Sequence, residues 1–180
     1  SVNISRKPFE ENTAKINEKT AANWGQCGID GVNYFSAVRL ASKGGKISTI
    51  GDFVYAQDAD EVYIYLTAET DFQDNHEFKE NCLKRLDLAE TIGYDQIKEE
   101  HIDQYHELYN RVSLDINHCK ADDTPTNELL ESLRAGETKQ SDYLTLLLFN
   151  FARYLMIASS NDCVLPSNLQ GIWNGSFVPP

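Results

Sequence analysis

Glu61-Val62-Tyr63-Ile64-Tyr65-Leu66-Thr67-Ala68 places Val62, Ile64, Leu66 and Ala68 on one face of an alternating run, and shortly afterwards Cys82, Leu83, Leu86 and Ala89 recur at helical spacing. Strand side chains point to opposite faces in turn, whereas helix neighbours lie three and four positions apart, so the period changes from two to about 3.6 residues between these stretches. The change divides the chain into a β region ending near Phe72 and a helical region beginning near Asn75.

Working back from Glu61, Tyr34 to Leu40 and Lys46 to Ile50 read as strands, joined by the glycine-bearing loop Ser42-Lys43-Gly44-Gly45. Gly51-Asp52 is a second turn and Phe53-Val54-Tyr55 a short strand. Asp58-Ala59-Asp60 then breaks the β signal before the alternating run. Short strands separated by glycine and aspartate turns predict a β-sandwich or part of one.

Working forward, the first helix stops at Gly93 and a second begins at Tyr94, with Tyr94, Ile97, Tyr105, Leu108, Tyr109 and Val112 along its apolar side. Ser113 to Ile116 alternates briefly and is read as a short extended segment. Thr124-Pro125 predicts a helix start, with threonine as the cap and proline at the first helical position, and Gly136 predicts its end. Ser141 is read as the cap of a last helix. From Tyr143 to Ile157 that helix is apolar around almost its whole circumference, which requires other elements to enclose it, and Leu146 and Phe149 are expected to face missing neighbours.

The chain has 180 residues, 41% hydrophobic and 24% charged, the composition of a globular protein. A formal charge of -12 disfavours nucleic acid and anionic lipid, whose recognition depends on clustered Lys and Arg. The apolar stretch from Tyr143 to Ser159 is interrupted by Asn150 and Arg153 and falls short of the roughly 20 residues of a bilayer span, so a buried helix and no membrane partner are expected. Cys27, Cys82, Cys119 and Cys163 are widely spaced and form no C-x-x-C pair. Free thiols are therefore expected, with no metal site and no cofactor. His101 and His106, five apart on a helix, lie on different faces and are read as ordinary helix residues. No secretory signal pattern opens the chain, and the sequence leaves the compartment unspecified.

Arg153-Tyr154-Leu155, Ser159-Ser160 and Leu165-Pro166-Ser167-Asn168-Leu169-Gln170-Gly171-Ile172-Trp173-Asn174 resemble the signature region of glycoside hydrolase family 95, where a buried helix leads into the catalytic cleft. His101, Asp103-Gln104-Tyr105, Tyr109 to Leu114 and Pro125-Thr126-Asn127-Glu128 resemble further segments of that family. Ala152 stands where the family commonly has glycine, and Asn161-Asp162-Cys163 where it has an Arg-Pro-Gly turn. The resemblance implies a multidomain α and β protein. Residues 1–72 would end an N-terminal β-sandwich, 73–123 would form a helical linker, and 124–180 would open an (α/α)6 catalytic barrel whose remainder is the implied partner.

It also implies cleavage of terminal α-L-fucosides, or related L-galactosides, with inversion. In such enzymes a glutamic acid protonates the leaving oxygen while an aspartate activates water on the opposite face. The family's catalytic residues fall after the matching positions of this chain, so no catalytic residue is named and the chain alone is expected to be inactive. Most of its 28 Asp and Glu lie on polar helix faces or in turns, where carboxylates are ordinarily solvated.

Asn168, Gln170, Trp173 and Asn174 are the candidate substrate-binding residues. Amides match sugar hydroxyls, and an indole can stack on an apolar sugar face. Alternatively, Asn168 and Gln170 satisfy loop backbone and Trp173 packs within the barrel. Arg153, inside an apolar helix, is expected to pair with a buried carboxylate or with carbonyls rather than with substrate. The competing functional reading is a non-catalytic carbohydrate-binding or structural module.

Overall fold

The computed structural model describes residues 1–6, 8–9, 12–72, 75–119, 123–137, 140–161 and 173. The chain is a mixed α and β structure in two compact units, Ser1–Glu99 and Glu100–Pro180. The first unit contains β1 (Val2–Asn3), β2 (Asn12–Asn17), β3 (Thr20–Gln26), β4 (Asn33–Ile50), β5 (Phe53–Thr70) and α1 (Phe78–Ile92). The strands form one antiparallel sheet in the order β1-β5-β4-β3-β2.

The two short hairpins expected around Gly44 and Asp58 are instead one long hairpin, in which β4 and β5 each run for 18 residues. The turn lies at Gly51-Asp52, as the sequence predicts, and Ile50 pairs with Phe53 across it. The glycines and aspartates upstream make a bulge rather than a loop. Lys43 pairs with Glu61 and Gly44 with Ala59, so Asp60 is the extra residue. Gly44, Gly45 and Asp58 all have positive φ there, and a Cβ on Gly45 would lie 2.2 Å from the carbonyl oxygen of Gln57. Only glycine fits that approach.

The bulge lets the sheet curl. Val54, Ile47 and Ala56, beyond it, pack with Val2 and Ile4 against Ala21, Val38 and Leu40. On the opposite face α1 sets Cys82 and Leu86, both fully buried, against Ala22, Phe35 and Ala37, the apolar stripe read from its sequence. Strand β3 escaped the sequence reading because it is covered on both sides. Thr20, Ala21, Ala22 and Asn23 are all buried, so no polar-apolar alternation marks it.

Three groups fix α1 to the sheet. Thr67 Oγ1 donates to the carbonyl of Cys82 at 3.1 Å and lies 2.7 Å from its Sγ. Arg39, only 5% exposed, meets Thr20 Oγ1 at 2.9 Å, Asp87 at 2.7 Å and Glu90 at 3.1 Å. Its Nε and Nη1 are thereby hydrogen-bonded and its charge is met by two carboxylates, the condition for keeping a cation in a core. Lys19 also pairs with Glu90.

Helix α1 ends at Gly93 and α2 spans Tyr94–Tyr109, stopping short of the periodicity that ran on to Val112. In the second unit α3 is Thr126–Arg134 and α4 is Ser141–Ser160. Pro125 occupies the cap position of α3, not the first helical one, and its carbonyl accepts from the amides of Glu128 and Leu129. Ser141 is likewise the first residue of α4 rather than its cap; its carbonyl accepts from Thr145 Oγ1. Residues 113–116 form no strand and carry no ladder bonds.

Helix α4 buries none of its residues fully, despite its apolar circumference. Leu148 is 67% exposed and Met156 68%, with Phe151 also exposed, whereas Leu146 and Phe149, the positions expected to face outward, are half-buried. At 20 residues it is longer than the sequence reading allowed and, by length and composition alone, could cross a membrane. Arg153 in its second half would be costly at bilayer depth, and its guanidinium is held by protein carbonyls.

Candidate functional site

The signature residues follow α4 in the sequence, and Arg153 anchors that helix. Its Nη1 donates to the carbonyl of Val112 at 2.7 Å and its Nη2 to the carbonyl of Tyr109 at 2.5 Å. These oxygens sit at and just beyond the C-terminus of α2, where carbonyls lack helical partners and the helix end carries partial negative charge. The guanidinium also lies 4.5 Å from the centre of the Tyr109 ring and 5.6 Å from that of Phe149. The expectation that Arg153 pairs with carbonyls holds.

An aromatic ladder continues from this point. Tyr105 and Tyr109 stack at 5.2 Å one helical turn apart, Tyr154 meets Tyr105 edge-on at 6.1 Å, and Phe151 stacks with Tyr154 at 6.3 Å. His101 stacks on Tyr105 at 6.5 Å, which places it in the ladder. Burial among rings raises the Tyr105 hydroxyl above its ordinary range, with neighbouring Tyr109 acting in the same direction. Tyr105 therefore remains a neutral donor at physiological pH.

Of the four candidate sugar contacts, the structure describes Trp173 alone, with its side chain half-exposed. Asn168, Gln170 and Asn174 lie outside the described residues. An exposed indole offers the flat apolar surface that a pyranose face can cover.

The described residues also form two apolar grooves and a polar one. Leu130, Leu133, Leu144, Leu148 and Phe151 line about 540 Å³ between α3 and α4. A second groove, of about 570 Å³, follows Val62 to Thr67 beside Ala89, Tyr94 and Ile97. The third is smaller and polar, lined by Glu69, Asn75, Asn81, Lys84, Arg85 and Leu88, with Arg85 closing on Glu69 at 2.9 Å.

An acid and a base that act on opposite faces of a sugar ring stand about 6.5–9.5 Å apart with room for water between them. Asp87 and Glu90 are instead clamped on one guanidinium, Glu69 is held by Arg85, and Glu61 is held by Lys43 and Tyr63. The Tyr63 hydroxyl and then Lys43 lower the Glu61 carboxyl below its usual range, the reverse of what a general acid needs. Among the described residues, no three His, Cys, Asp or Glu side chains converge to hold a metal ion.

Residues 93–180 match the glycosyl hydrolase family 95 catalytic domain. The chain is 29% identical over 162 residues to Alpha-L-fucosidase 2 of Arabidopsis thaliana, covering 83% of this chain and 19% of the relative. Probable alpha-fucosidase A of Aspergillus niger is 32% identical over 133 residues, covering 66% of this chain and 16% of the relative. The protein of the same description from Aspergillus oryzae is 28% identical over 158 residues, covering 80% of this chain and 22% of the relative. The chain thus spans about a fifth of the length of these curated relatives.

The match over α2, α3, α4 and the signature segment places the chain among the glycoside hydrolases. Residues 93–180 belong to the catalytic domain of glycoside hydrolase family 95.

Proposed function

We propose that this chain is part of an enzyme that cleaves terminal α-L-fucosides, or related L-galactosides, with inversion at the anomeric carbon. The match of residues 93–180 to the family's catalytic domain carries the reading, joined by fucosidase relatives that cover 66 to 83% of the chain. In this reading residues 1–72 close an N-terminal β-sandwich, 73–123 link it to the catalytic domain, and 124–180 open an (α/α)6 barrel. Two features support it: the curled sheet below Thr70, and the exposed apolar surface of α4, which further barrel helices would cover.

The chain's own residues build and position rather than react. Arg153 ties α4 to the end of α2 and so fixes where the segment after Ser160 begins. Asn168, Gln170, Trp173 and Asn174 line the sugar site, with Trp173 stacking on the ring and the amides meeting hydroxyls. The acid and the water-activating base come from further along the longer protein. Hydrolysis of an aryl α-L-fucoside by the longer protein, with none by the purified 180-residue chain, is the expected outcome. Turnover by the chain alone, or failure of the longer protein to act on any α-L-fucoside or L-galactoside, overturns the reading.

A further inference from the structure

Successive residues of β5 point to opposite faces of the sheet. Tyr65 packs against the Cys82 and Leu86 cluster and Thr67 bonds Cys82, so Tyr63, Tyr65 and Thr67 share the face turned to α1. The groove of about 570 Å³ follows Val62 to Thr67 and is walled by Ala89, Tyr94 and Ile97, all within the first unit.

No charged residue lines this groove, so its wall holds neither an anion nor a cation. Glu61 and Glu90, whose charges reach the tyrosines, are already paired, the first with Lys43 and the second with Arg39 and Lys19. Its aromatic surface comes from Tyr63 and Tyr94, whose ring centres lie 5.6 Å apart with Tyr94 50% exposed. Its polar groups are neutral. Among the described residues no strand pairs with the outer edge of β5 from Tyr55 to Thr70, so alternate amides and carbonyls point out from that edge. The Tyr65 and Tyr94 hydroxyls bond to no other described residue. Burial, with the Glu90 charge adding to it, raises the Tyr65 hydroxyl above its ordinary range and keeps it protonated.

A wholly apolar ligand gains by enclosure on most sides. This groove is open to water, since Ile64, Leu66 and Tyr94 along it are all exposed. Such a groove suits a molecule with one apolar face to lay on rings and hydroxyls to meet neutral donors and acceptors. We propose that it binds a neutral oligosaccharide, with a sugar face on Tyr94 and Tyr63 and hydroxyls bonded to Tyr65 and the open backbone of β5. Val62 to Thr67 extends about 17 Å at the ordinary strand rise, longer than one pyranose ring, so the ligand is a chain of sugars.

The test is ligand-observed saturation-transfer NMR on the 180-residue chain, with 2′-fucosyllactose, cellotetraose and xylotetraose as neutral probes and tetragalacturonate as the acidic one. Binding of at least one neutral probe with a Kd of about 0.1–1 mM is expected. Tyr94→Ala should weaken it about tenfold or more. Tyr65→Phe, which removes the hydroxyl and keeps the packed ring, should weaken it roughly three- to tenfold. Circular dichroism checks that both variants stay folded, and Tyr65→Phe remains informative if Tyr94→Ala disturbs α2. No transfer to any neutral probe overturns the proposal. So does binding that both variants leave unchanged, or tighter binding of tetragalacturonate than of the neutral probes. Because binding is read without turnover, a negative result leaves the proposed hydrolysis standing, and failure of that hydrolysis leaves this site standing.

Discussion

The Arg153 guanidinium stacks on the ring of Tyr109 and donates to that residue's own carbonyl, so one side chain of α4 holds the end of α2 by both its face and its edge. Lysine cannot reproduce this, since it has no planar fork to reach two carbonyls. Arg153→Lys should destabilise the helical unit by about 2 kcal/mol, the scale of charged hydrogen bonds to partly solvated acceptors. Urea unfolding followed by tyrosine fluorescence checks it. A change below about 0.5 kcal/mol would show the contacts to be incidental.

Gly45→Ala forces a side chain into a position with φ of 66° and a Cβ 2.2 Å from the Gln57 carbonyl oxygen. Left-handed backbone alone costs roughly 1–2 kcal/mol in an L-residue, and the contact with backbone adds to it. A loss above about 2 kcal/mol is expected. Gly51→Ala, at φ of 62° with nothing within 4 Å of its Cβ, should cost only the backbone share, about 1–2 kcal/mol. Equal losses for the two variants would contradict the bulge geometry.

Cys82 is fully buried, and burial pushes its thiol up from the ordinary 9.0, although the bond to Thr67 opposes the rise. Because the folded value is raised, its share of stability is fully present below about pH 9 and is lost as pH climbs from there through the folded value. Thr67→Val should steepen that loss. Cys82 should also resist alkylation in the native protein while Cys27 and Cys119, both partly exposed, react. Peptide mapping that finds Cys82 labelled as fast as Cys27 would place it at the surface.

How far the sequence could be read followed from how each residue was covered. Helix α1 was legible because one face is buried and the other wet, so Cys82 and Leu86 stand out from Glu80 and Lys84. Strand β3 was not, because Ala21 and Ala22 are both buried on opposite faces. Gly44-Gly45 and Asp58 to Asp60 looked like two turns, since a bulge uses the same residues for the same positive φ; only the pairing of Lys43 with Glu61 distinguishes the two. The role of Arg153 followed from a charge placed in an apolar helix. Trp173 is exposed, as a stacking residue must be.

The surface of α4 gives a fourth expectation. Leu148 and Met156, exposed here, would be covered by barrel helices in the longer protein, each forgoing roughly 1.5–3 kcal/mol of burial while in water. Leu148→Glu with Met156→Glu should reduce self-association of the 180-residue chain without unfolding it, whereas Leu146→Glu with Phe149→Glu, at half-buried positions, should unfold it. Sedimentation velocity with circular dichroism separates the outcomes. Unfolding by the first pair would mean that α4 already lies in a complete core.

The most direct measurement on the central claim is the anomeric proton signal of the sugar first released when the longer protein hydrolyses an aryl α-L-fucoside, recorded by NMR before mutarotation. Inversion by an acid and a base on opposite faces predicts that β-L-fucose appears first and equilibrates afterwards. Initial release of α-L-fucose would mean retention through a covalent intermediate, and would contradict the account.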